Sequence, residues 1–465
     1  MKAPPEHLIS VFGLGPVGLV TAVCFAKKGR QVIGIDPDLD RLEKIRRAEP
    51  PFFEPKLKEY LAETIASGTF SVTDDASANV ESDFAYVTVG TPSSEDGSID
   101  LRYIKDTATD IGRSLRQVDH YQLVILKSTV TPGTGRTIVK LILEQESGKT
   151  VGEGFGLCSN PEFLREGSAI HDAEHPDRIV IGGEDAETVK RLETFYKEFY
   201  AEDMPPVIRT THENAELIKY ANNAFLATKV SFINTIANIA ERTPNADIKT
   251  IAAGIGLDER IGSRFLNAGL GWGGSCLPKD VKALVAFSKR LGYNPDLIEA
   301  TIGANDQQKL RAIELAREAL GSLRGKRIAI LGLAFKPDTD DMREAVSVSL
   351  IEALLAEGAS VVAYDPAAVD NARVVLEGKV SYAGDSLECL KDADCCIIVT
   401  EWDEFRTISP DTFLRRMRRP VVIDGRRIYD ADKFSGAGIE FSAIGLQPRT
   451  REPTLNCPDP RPNNS

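Results

Sequence analysis

The sequence predicts an α/β protein built from two Rossmann-like, doubly wound domains that are joined by a long central helix. Three observations lead to this prediction. A buried strand, a glycine-rich turn and an apolar helix follow one another near the start of the chain. The same strand–helix–strand pattern begins again after Gly325. Between the two patterns, roughly thirty residues from His212 to Glu241 contain no Gly or Pro and carry apolar side chains at helical spacing.

The first of these units opens the chain. A short strand over residues 7–12 leads into the turn Gly13-Leu-Gly-Pro-Val-Gly18 and a helix that runs to Lys28. Gly29 ends this helix, and a second strand, Gln31–Ile35, follows. Because further strands alternate with helical stretches, the pattern predicts a parallel sheet with helices on both faces. These further strands are predicted over Phe84–Val89 and Leu123–Leu126.

The second unit repeats the first. A strand over Lys326–Leu331, a helix over Ser347–Glu357 and a strand over Ser360–Tyr364 are predicted, and the last strand ends in Asp365-Pro366, as the earlier one ends in Asp36-Pro37. The sequence therefore predicts an N-terminal dinucleotide-binding domain over 1–205, a central helical domain over 206–305 and a C-terminal Rossmann-like domain over 320–447. The stretch 448–465 is rich in Pro, Arg and Asn, and we expect a disordered tail there.

Composition limits the classes of function. The chain has 465 residues, with 56 basic and 69 acidic side chains and a net charge of −13, which argues against general binding to nucleic acid or to an acidic membrane. A local cluster of Arg and Lys remains compatible with a small anionic substrate. The seven cysteines show no disulfide spacing, no membrane span or leader is apparent, and no metal-ligand spacing occurs. We expect a cytoplasmic protein without a metal.

The glycine-rich turn predicts a dinucleotide site. Gly13 allows the tight turn, Gly15 lets the backbone approach a pyrophosphate, and Gly18 lets the helix pack closely on the strand. Asp36 would accept hydrogen bonds from the adenosine ribose hydroxyls and repel a 2′-phosphate, which favours NAD over NADP. The alternative is a glycine-rich turn without a ligand. Arg41 could pack on the adenine or the diphosphate, or it could be a solvated helix residue.

A second glycine-rich stretch surrounds one cysteine, in Gly269-Leu-Gly-Trp-Gly-Gly-Ser-Cys-Leu-Pro-Lys-Asp280. The residues after Pro278 resemble a helix start. A thiol near a helix N-terminus and a lysine is expected to have a depressed pKa and to be a good nucleophile, so Cys276 is a candidate catalyst. The alternative is an inert buried cysteine. Asp280 could simply cap its helix.

Two further groups leave alternatives open. Lys219 and Asn223 are four residues apart on the long helix, so they share a face and could hold an oxyanion; otherwise the lysine reaches solvent and the asparagine lies at an interface. The segment Asn160-Pro-Glu-Phe-Leu-Arg-Glu166 has the pattern of a helix start, yet two glutamates near a cysteine would also suit a general base. Composition does not decide between these interpretations.

The second unit lacks the first unit's turn. Gly332-Leu-Ala-Phe-Lys-Pro337 has lost two of the three glycines, so we expect no second NAD there. Lys336, Arg343 and Arg426 could face an anion instead, or they could be surface cations.

At this point the motifs resemble a known family, the UDP-glucose/GDP-mannose dehydrogenases, over almost the whole chain to about residue 445. The matching motifs occur in order along the chain. They are Gly13-Leu-Gly-Pro-Val-Gly18, Lys127-Ser-Thr-Val130, Asn160-Pro-Glu-Phe-Leu-Arg-Glu-Gly167, Lys219-Tyr-Ala-Asn-Asn-Ala-Phe-Leu226, Gly273-Gly-Ser-Cys-Leu-Pro-Lys-Asp280, Phe335-Lys-Pro-Asp-Thr-Asp-Asp-Met-Arg-Glu344 and Asp424-Gly-Arg-Arg427.

The resemblance implies an NAD-dependent oxidation of a nucleotide sugar from alcohol to carboxylate. This removes four electrons, so two NAD molecules are consumed, and a cysteine holds the intermediate as a thiohemiacetal and then a thioester. By the resemblance, Cys276 is the nucleophile, Lys219 and Asn223 stabilise oxyanions, and Asp280 and Thr129 manage protons through a water. One of Glu162 and Glu166 serves the hydrolysis, with Glu162 favoured as the base.

The resemblance also implies the binding residues. The cofactor set comprises Gly13, Gly15, Val17, Gly18, Asp36, Arg41, Thr91, Thr129, Glu166, Lys279 and Arg343. The substrate set comprises Glu162, Phe163, Leu164, Lys219, Asn223, Arg260, Phe265, Gly273, Lys336 and Arg426. Arg260 matches an arginine that reaches the neighbouring subunit's substrate, so a homodimer or a higher homo-oligomer is expected.

The sugar is the least determined part of the expectation. The stretch from Asn223 to Asn234 resembles the branch that oxidises UDP-glucose to UDP-glucuronate. Leu277, however, resembles the GDP-mannose branch, and Asn222 and Trp272 differ from the commoner residues. The leading expectation is oxidation of UDP-glucose, and the alternative is oxidation of GDP-mannose or a UDP-N-acetylhexosamine by the same mechanism.

Overall fold

Residues 8–447 are described by the computed structural model of the chain. The predicted tail over 448–465 lies outside them, as does the start of the chain. Within the described residues, no helix is long and apolar enough to cross a membrane.

The first part of the chain forms an eight-stranded sheet in the order β3-β2-β1-β4-β5-β6-β7-β8. All neighbouring strands are parallel except β6 and β7, which meet in antiparallel fashion. Separate apolar clusters fill the two faces, one beneath α1, α3 and α7 and one beneath α4 and α5. The strands are β1 Leu8–Phe12, β2 Gln31–Ile35, β3 Phe70–Thr73, β4 Phe84–Val87, β5 Gln122–Leu126, β6 Phe155–Ser159, β7 Ile179–Gly182 and β8 Val207–Thr210. The helices are α1 Pro16–Lys27, α2 Leu39–Arg46, α3 Leu57–Ala66, α4 Arg102–Leu115, α5 Lys140–Ser147, α6 Ala169–Glu174 and α7 Ala186–Tyr200.

The middle of the chain is helical. Its first helix is 29 residues long and begins at Thr211, whose side chain accepts a hydrogen bond from the backbone N–H of Asn214. Two later helices pack along it and bury apolar side chains that include Tyr220 and Trp272. The helices are α8 His212–Ala240, α9 Ile248–Gly256, α10 Leu277–Arg290, α11 Asp296–Lys309 and α12 Arg311–Leu320.

The last part forms a second parallel sheet of six strands, in the order β11-β10-β9-β12-β13-β14. Its core is continuous with apolar residues of the middle helices. The strands are β9 Arg327–Leu331, β10 Ser360–Tyr364, β11 Ser381–Tyr382, β12 Cys395–Ile398, β13 Val421–Asp424 and β14 Glu440–Ala443. The helices are α13 Val346–Ala356, α14 Val369–Val375, α15 Ser386–Cys389, α16 Asp403–Arg406, α17 Pro410–Arg416 and α18 Ala431–Gly436.

The two sheets share the order of a doubly wound fold, and their first strands end in the same way. Gly13 and Gly332 both have positive φ, and each donates its N–H to the last residue of the neighbouring strand. Asp36 then accepts a hydrogen bond from the N–H of Leu14, as Asp365 does from that of Leu333. The predicted fold class is confirmed.

One segment differs from its helical pattern. No helix begins at Asn160; residues 160–165 are irregular, and the helix that follows starts only at Ala169. The physical reason is that the side chain of Asn160 is used elsewhere: its amide donates to the carbonyl of Val180, and its oxygen accepts from Lys127 and Tyr196. An asparagine held in this way cannot cap a helix.

The long helix is tied to the C-terminal sheet at its far end. Buried Glu241 accepts a hydrogen bond from Nε of Arg311 at 2.9 Å and one from the N–H of Gly445 at 2.8 Å, and it forms an ion pair with Nη2 of Arg311 at 2.7 Å. Because removal of one member of a buried pair leaves the other charge uncompensated, this contact is expected to matter for stability.

We predict that Glu241→Ala lowers the free energy of unfolding by about 3 kcal/mol, since Arg311 and the Gly445 amide lose their buried acceptor. The measurement is urea unfolding followed by circular dichroism. The matched control is Glu314→Ala, because Glu314 pairs with the same arginine but is exposed, and we expect it to cost less than about 1 kcal/mol. Equal losses in the two variants would contradict the prediction.

Candidate active site

A cavity of about 630 Å³ opens between the first sheet, the long helix and the C-terminal sheet. Three segments predicted from sequence line it together: residues 160–166, the Lys219–Asn223 face of α8, and residues 273–277 around the cysteine. Lys336 of the C-terminal part closes a further wall. The cavity therefore joins groups from all three parts of the chain.

The paired donors on α8 are both buried. Lys219 is 4% exposed and Asn223 is 5% exposed, so the lysine does not reach solvent as the alternative interpretation required. The Nζ of Lys219 donates to Glu162 at 2.7 Å, and the amide of Asn223 donates to Asp280 at 2.6 Å. Burial alone would lower the pKa of Lys219, but the Glu162 carboxylate raises it overall. Lys219 therefore keeps its positive charge inside the cavity.

Cys276 is the residue that precedes α10, and its side chain is exposed to the cavity. One expectation about it is wrong. Although the side chain is accessible from the cavity, the protein atoms around the thiol reduce its hydration and so raise its pKa, and the lowering effect of Lys219 does not offset this. The helix N-terminus and the lysine therefore do not suffice to ionise the thiol, and its attack on a substrate needs a proton acceptor.

Glycines allow the cysteine loop to lie against the C-terminal part. A Cβ at Gly273 would lie 2.2 Å from the carbonyl oxygen of Glu344. The N–H of Gly274 donates to the carbonyl of Arg343 at 3.1 Å, and this glycine packs on the ring of Phe335. A side chain at either glycine would separate the loop from the C-terminal sheet.

The two glutamates of residues 160–166 have different environments. Burial raises the pKa of Glu162, but Lys219 lowers it overall, so this group is an ionised carboxylate. Burial and the neighbouring Asp341 carboxylate raise the pKa of Glu166 to about 7. The hydroxyl of Ser275 donates to Glu166 at 2.6 Å. The sequence motif predicted both glutamates at the site, but the opposite shifts of their pKa values follow only from the structure.

A cradle for a dinucleotide lies at the start of α1. A Cβ at Gly18 would lie 1.8 Å from the carbonyl oxygen of Gly13, so the helix packs on the turn as predicted. A Cβ at Gly15 would meet nothing within 4 Å. The N-cap residue of α1 makes no side-chain hydrogen bond, so the first N–H groups of the helix, beginning with that of Val17, have no capping side chain and are available to an anion at the helix N-terminus. The turn therefore has room and donors for a pyrophosphate.

Four further residues of the predicted cofactor set follow strands of the first sheet or contact residues that do, whereas Glu166 lines the cavity and Arg343 contacts it. Arg41 donates to both carboxylate oxygens of Asp36, at 2.8 and 2.7 Å, so it orients the acid rather than standing free in solvent. Lys279 lies 3.5 Å from the hydroxyl of Thr91 and donates to Asp280 at 2.6 Å. Thr129 follows Ser128, whose hydroxyl donates to the carbonyl of Val89.

The predicted substrate set divides in two. Phe163, Leu164, Phe265, Gly273 and Lys336 line the cavity with Glu162, Lys219 and Asn223. Arg260 is not among the lining residues; its side chain is exposed and pairs with Asp258. Arg426 lies outside the lining as well and is held by the carbonyl of Val399 and by Glu401. Arg343 reaches Glu166 at 3.3 Å.

Sequence reasoning missed three residues near the site. Lys127, whose pKa burial lowers to about 8, lies in the cavity beside Asn160. Arg178 stacks on the ring of Phe163 at 3.8 Å and donates to Asn222. Lys127 is the first residue of the family motif Lys127-Ser-Thr-Val130, which could have pointed to it, whereas no local signal in the sequence identified Arg178.

The third missed residue, Glu216, holds the loop that carries Thr129. Its buried carboxylate accepts from the N–H of Gly133, the N–H of Gly135 and the hydroxyl of Ser159. Burial raises its pKa to about 7. Gly135 begins a π-helical turn, Gly135–Val139, and any side chain there would collide with Glu216. The spacing of three residues from Lys219 is the signal that could have placed Glu216 on the same buried face.

Among residues 8–447, no group of three or more His, Cys, Asp or Glu side chains is arranged to hold a metal ion.

Comparison with known proteins identifies three consecutive segments. Residues 7–200 match the NAD binding domain of the UDP-glucose/GDP-mannose dehydrogenase family, residues 213–307 match its central domain, and residues 329–431 match its UDP binding domain. The predicted cofactor, NAD, and the predicted class of NAD-dependent oxidoreductase are confirmed.

Individual relatives are similar over nearly the whole chain. The UDP-glucose 6-dehydrogenase AglM of Haloferax volcanii is 44% identical, over 90% of this chain and 96% of its own length. The UDP-glucose 6-dehydrogenase TuaD of Bacillus subtilis is 41% identical, over 94% of this chain and 93% of its own. A solved UDP-glucose dehydrogenase from Pyrobaculum islandicum superposes with a TM-score of 0.87 at 39% identity, covering 96% of this chain and all of that one.

We predict that Gly15→Ala weakens NAD binding by at least about ten-fold without lowering the melting temperature, because a methyl group there occupies the space in which a pyrophosphate approaches the backbone. The φ of Gly15 is −70°, so alanine introduces no backbone strain. NAD affinity is measured by calorimetry on the purified protein. Gly303→Ala is the control: this glycine also faces open space, but it lies within α11. Wild-type affinity in Gly15→Ala would contradict the proposed cradle.

Proposed function

Because the chain belongs to the UDP-glucose/GDP-mannose dehydrogenase family, we propose that it oxidises the 6-hydroxymethyl group of UDP-glucose to a carboxylate, giving UDP-glucuronate. The observation that carries the proposal is the cavity in which Cys276, Lys219 and Asn223 face one another beside the NAD-binding sheet. NAD supplies the hydride acceptor for each of the two oxidation steps.

Each side chain of the cavity has a separate role in the proposed oxidation. Lys219 and Asn223 donate hydrogen bonds to the oxygen that becomes negatively charged, which is the arrangement expected of an oxyanion site. The Cys276 sulfur adds to the intermediate aldehyde and holds it as a thiohemiacetal, and the second oxidation converts this adduct to a thioester. Asp280 holds Asn223 in place and, with Thr129, manages protons through a water.

Glu162 is the proposed base for thioester hydrolysis. It lines the cavity, it is ionised because of Lys219, and the backbone N–H of Leu164 holds its second oxygen. A carboxylate fixed in this way can orient a water and accept its proton. Glu166 is assigned a different task below.

The remaining predicted residues are proposed to bind the two ligands. The turn after β1, together with Asp36, Arg41, Thr91, Lys279 and Arg343, would hold NAD. Phe163, Leu164, Phe265, Gly273, Lys336 and Arg426 would hold the nucleotide sugar, with the cations facing its phosphates.

UDP-glucose is preferred as the substrate because two relatives that are 41% and 44% identical, over 94% and 90% of this chain, carry that name. One observation favours the alternative: Leu277 lines the cavity at the position that resembles the GDP-mannose branch. GDP-mannose and the UDP-N-acetylhexosamines are therefore the competing substrates in the test.

We predict that the protein forms two NADH for each UDP-glucose consumed, since the cysteine retains the aldehyde until the second oxidation. The measurement combines NADH absorbance with chromatographic quantification of the sugar nucleotide, and each competing substrate is assayed in the same way. Two NADH from GDP-mannose with no activity on UDP-glucose would keep the chemistry and replace the substrate.

Cys276→Ser tests the covalent step in the same assay. We expect loss of acid formation, because the serine hydroxyl remains protonated and does not retain the aldehyde. Cys158→Ser is the matched control, since this cysteine is buried within the first sheet and is not among the residues that line the cavity. Normal acid formation by Cys276→Ser would remove the cysteine from the mechanism.

We further propose that the active form is a homodimer. Phe225, Phe232 and Ile239 repeat every seven residues along α8 and are exposed, which gives an apolar stripe suited to a second copy of the same helix. Phe225 also lines the cavity, so a copy seated on the stripe would lie at the edge of the site. Exposed Arg260 would then reach the neighbouring cavity, as the family resemblance implies.

We predict that Phe232→Glu gives particles with the mass of one chain in light scattering, because a charge in the centre of the apolar stripe opposes its burial. Leu141→Glu is the control: Leu141 is 57% exposed and Phe232 is 52% exposed, but Leu141 lies on α5. A wild-type mass for Phe232→Glu would place the interface elsewhere.

A further inference from the structure

We propose that Ser275 carries a proton between the Cys276 thiol and Glu166, and that Glu166 is the group that receives the proton when the cysteine attacks. This inference deepens the proposed function and rests on its assignment of Cys276 as the nucleophile. It gives separate tasks to the two glutamates, since Glu162 remains the base for water.

The geometry provides a continuous path. The hydroxyl of Ser275 lies 3.4 Å from the sulfur of Cys276 and donates to Oε1 of Glu166 at 2.6 Å. A hydroxyl has one proton to donate and two lone pairs that accept, so Ser275 can accept from the thiol while it donates to the carboxylate. Glu166 and Cys276 are thus joined through a single side chain.

The thiol requires such an acceptor. Burial raises the pKa of Cys276, and the charged groups around it largely oppose one another, since Lys219 favours the thiolate while Glu162 and Asp280 disfavour it. Arg343 also lies near the thiol. The thiol is therefore predominantly protonated at neutral pH and becomes a strong nucleophile only when its proton is taken away.

The other carboxylates nearby are already engaged. Glu162 accepts from Lys219 and from a backbone N–H, and Asp280 accepts from Asn223 and Lys279. Glu166 differs from both, because its Oε2 is buried and has no hydrogen-bond partner among the described residues.

The surroundings of Glu166 suit an acceptor that works near neutral pH. Burial and the Asp341 carboxylate raise its pKa to about 7, against the lowering effects of Ser275 and Arg343. Lys336 is a further charged neighbour. A base with a pKa close to the working pH is ionised often enough to accept a proton and basic enough to hold it.

The step balances without any further reactant. The thiol proton moves to Oγ of Ser275 as the Ser275 proton moves to Oε1 of Glu166, and the sulfur lone pair forms a C–S bond to the aldehyde carbon. The C=O π electrons become the alkoxide, which Lys219 and Asn223 hold. When the thioester is hydrolysed, the leaving thiolate takes the proton back along the same path.

The test follows alkylation of Cys276 by iodoacetamide as a function of pH, with the full chain and without NAD or sugar. Mass spectrometry of the peptide that contains Cys276 gives the rate. We expect the wild-type rate to rise with a midpoint near pH 7, the titration of Glu166, and to rise again where the thiol itself ionises. In Ser275→Ala and in Glu166→Gln, the first rise should disappear, with alkylation at pH 8 slower by at least about ten-fold.

Ser288→Ala is the matched control, because Ser288 lies on the same helix as Leu277 and donates only to the carbonyl of Leu284. It should keep the wild-type profile. If Ser275→Ala and Glu166→Gln slow alkylation equally at every pH and retain the first rise, the residues have a structural role only and the proton path is overturned. Because the two variants remove different members of the path, a folding defect in one of them does not affect the result from the other.

The experiment separates this inference from the proposed function. Alkylation requires neither sugar nor cofactor, so an alkylation profile that refutes the proton path would leave the predicted two NADH per UDP-glucose unaffected. Conversely, one NADH per sugar would refute the covalent oxidation even where the alkylation profile shows the path.

Discussion

The buried ion pair between Lys219 and Glu162 is the contact on which the rest of the site depends. Both side chains are almost completely buried. Two buried charges are tolerated only when each compensates the charge of the other. The pair joins the long helix to the segment that follows β6. It therefore fixes the distance between the central helix and the first sheet, and it leaves Lys219 charged and aimed into the cavity.

The pair also explains why residues 160–165 are irregular. A helix starting at Asn160 would turn Glu162 along the helix surface, whereas the irregular backbone brings it to Lys219 and lets the N–H of Leu164 hold its other oxygen. Glu216, one turn before Lys219 on α8, makes a similar connection to the loop of Gly133 and Gly135. Glu216 on α8 and Glu162 packed against α8 thus fix two loops, the Gly133–Gly135 loop and residues 160–165, at the carboxyl ends of their strands.

The sequence allowed the fold to be predicted closely because its signals are local. The strands Gln31–Ile35 and Ser360–Tyr364 were predicted with the bounds that the structure has, and α8 ends one residue before the predicted Glu241. The site was predicted from motifs, and three of them, at residues 160–166, at Lys219–Asn223 and at residues 273–277, line one cavity, whereas the Gly13–Gly18 turn and Arg426 are not among its lining residues. What could not be predicted depends on desolvation and on contacts distant in sequence: the raised pKa of Cys276, the contrast between Glu162 and Glu166, and the stacking of Arg178 on Phe163.

The two repeats use the same strand end for different purposes. In the first, three residues separate β1 from α1, and Asp36 binds only one amide of the turn, that of Leu14, so the helix N-terminus is left open. In the second, fourteen residues separate β9 from α13, and Asp365 binds the amides of both Leu333 and Ala334. The additional residues extend towards the first sheet, where Glu344 packs on Gly273 and Arg343 reaches Glu166. The turn that leaves the helix N-terminus open in the first repeat is thus a longer segment in the second, and this segment packs against the cysteine loop and connects the C-terminal part to residues of the other two parts.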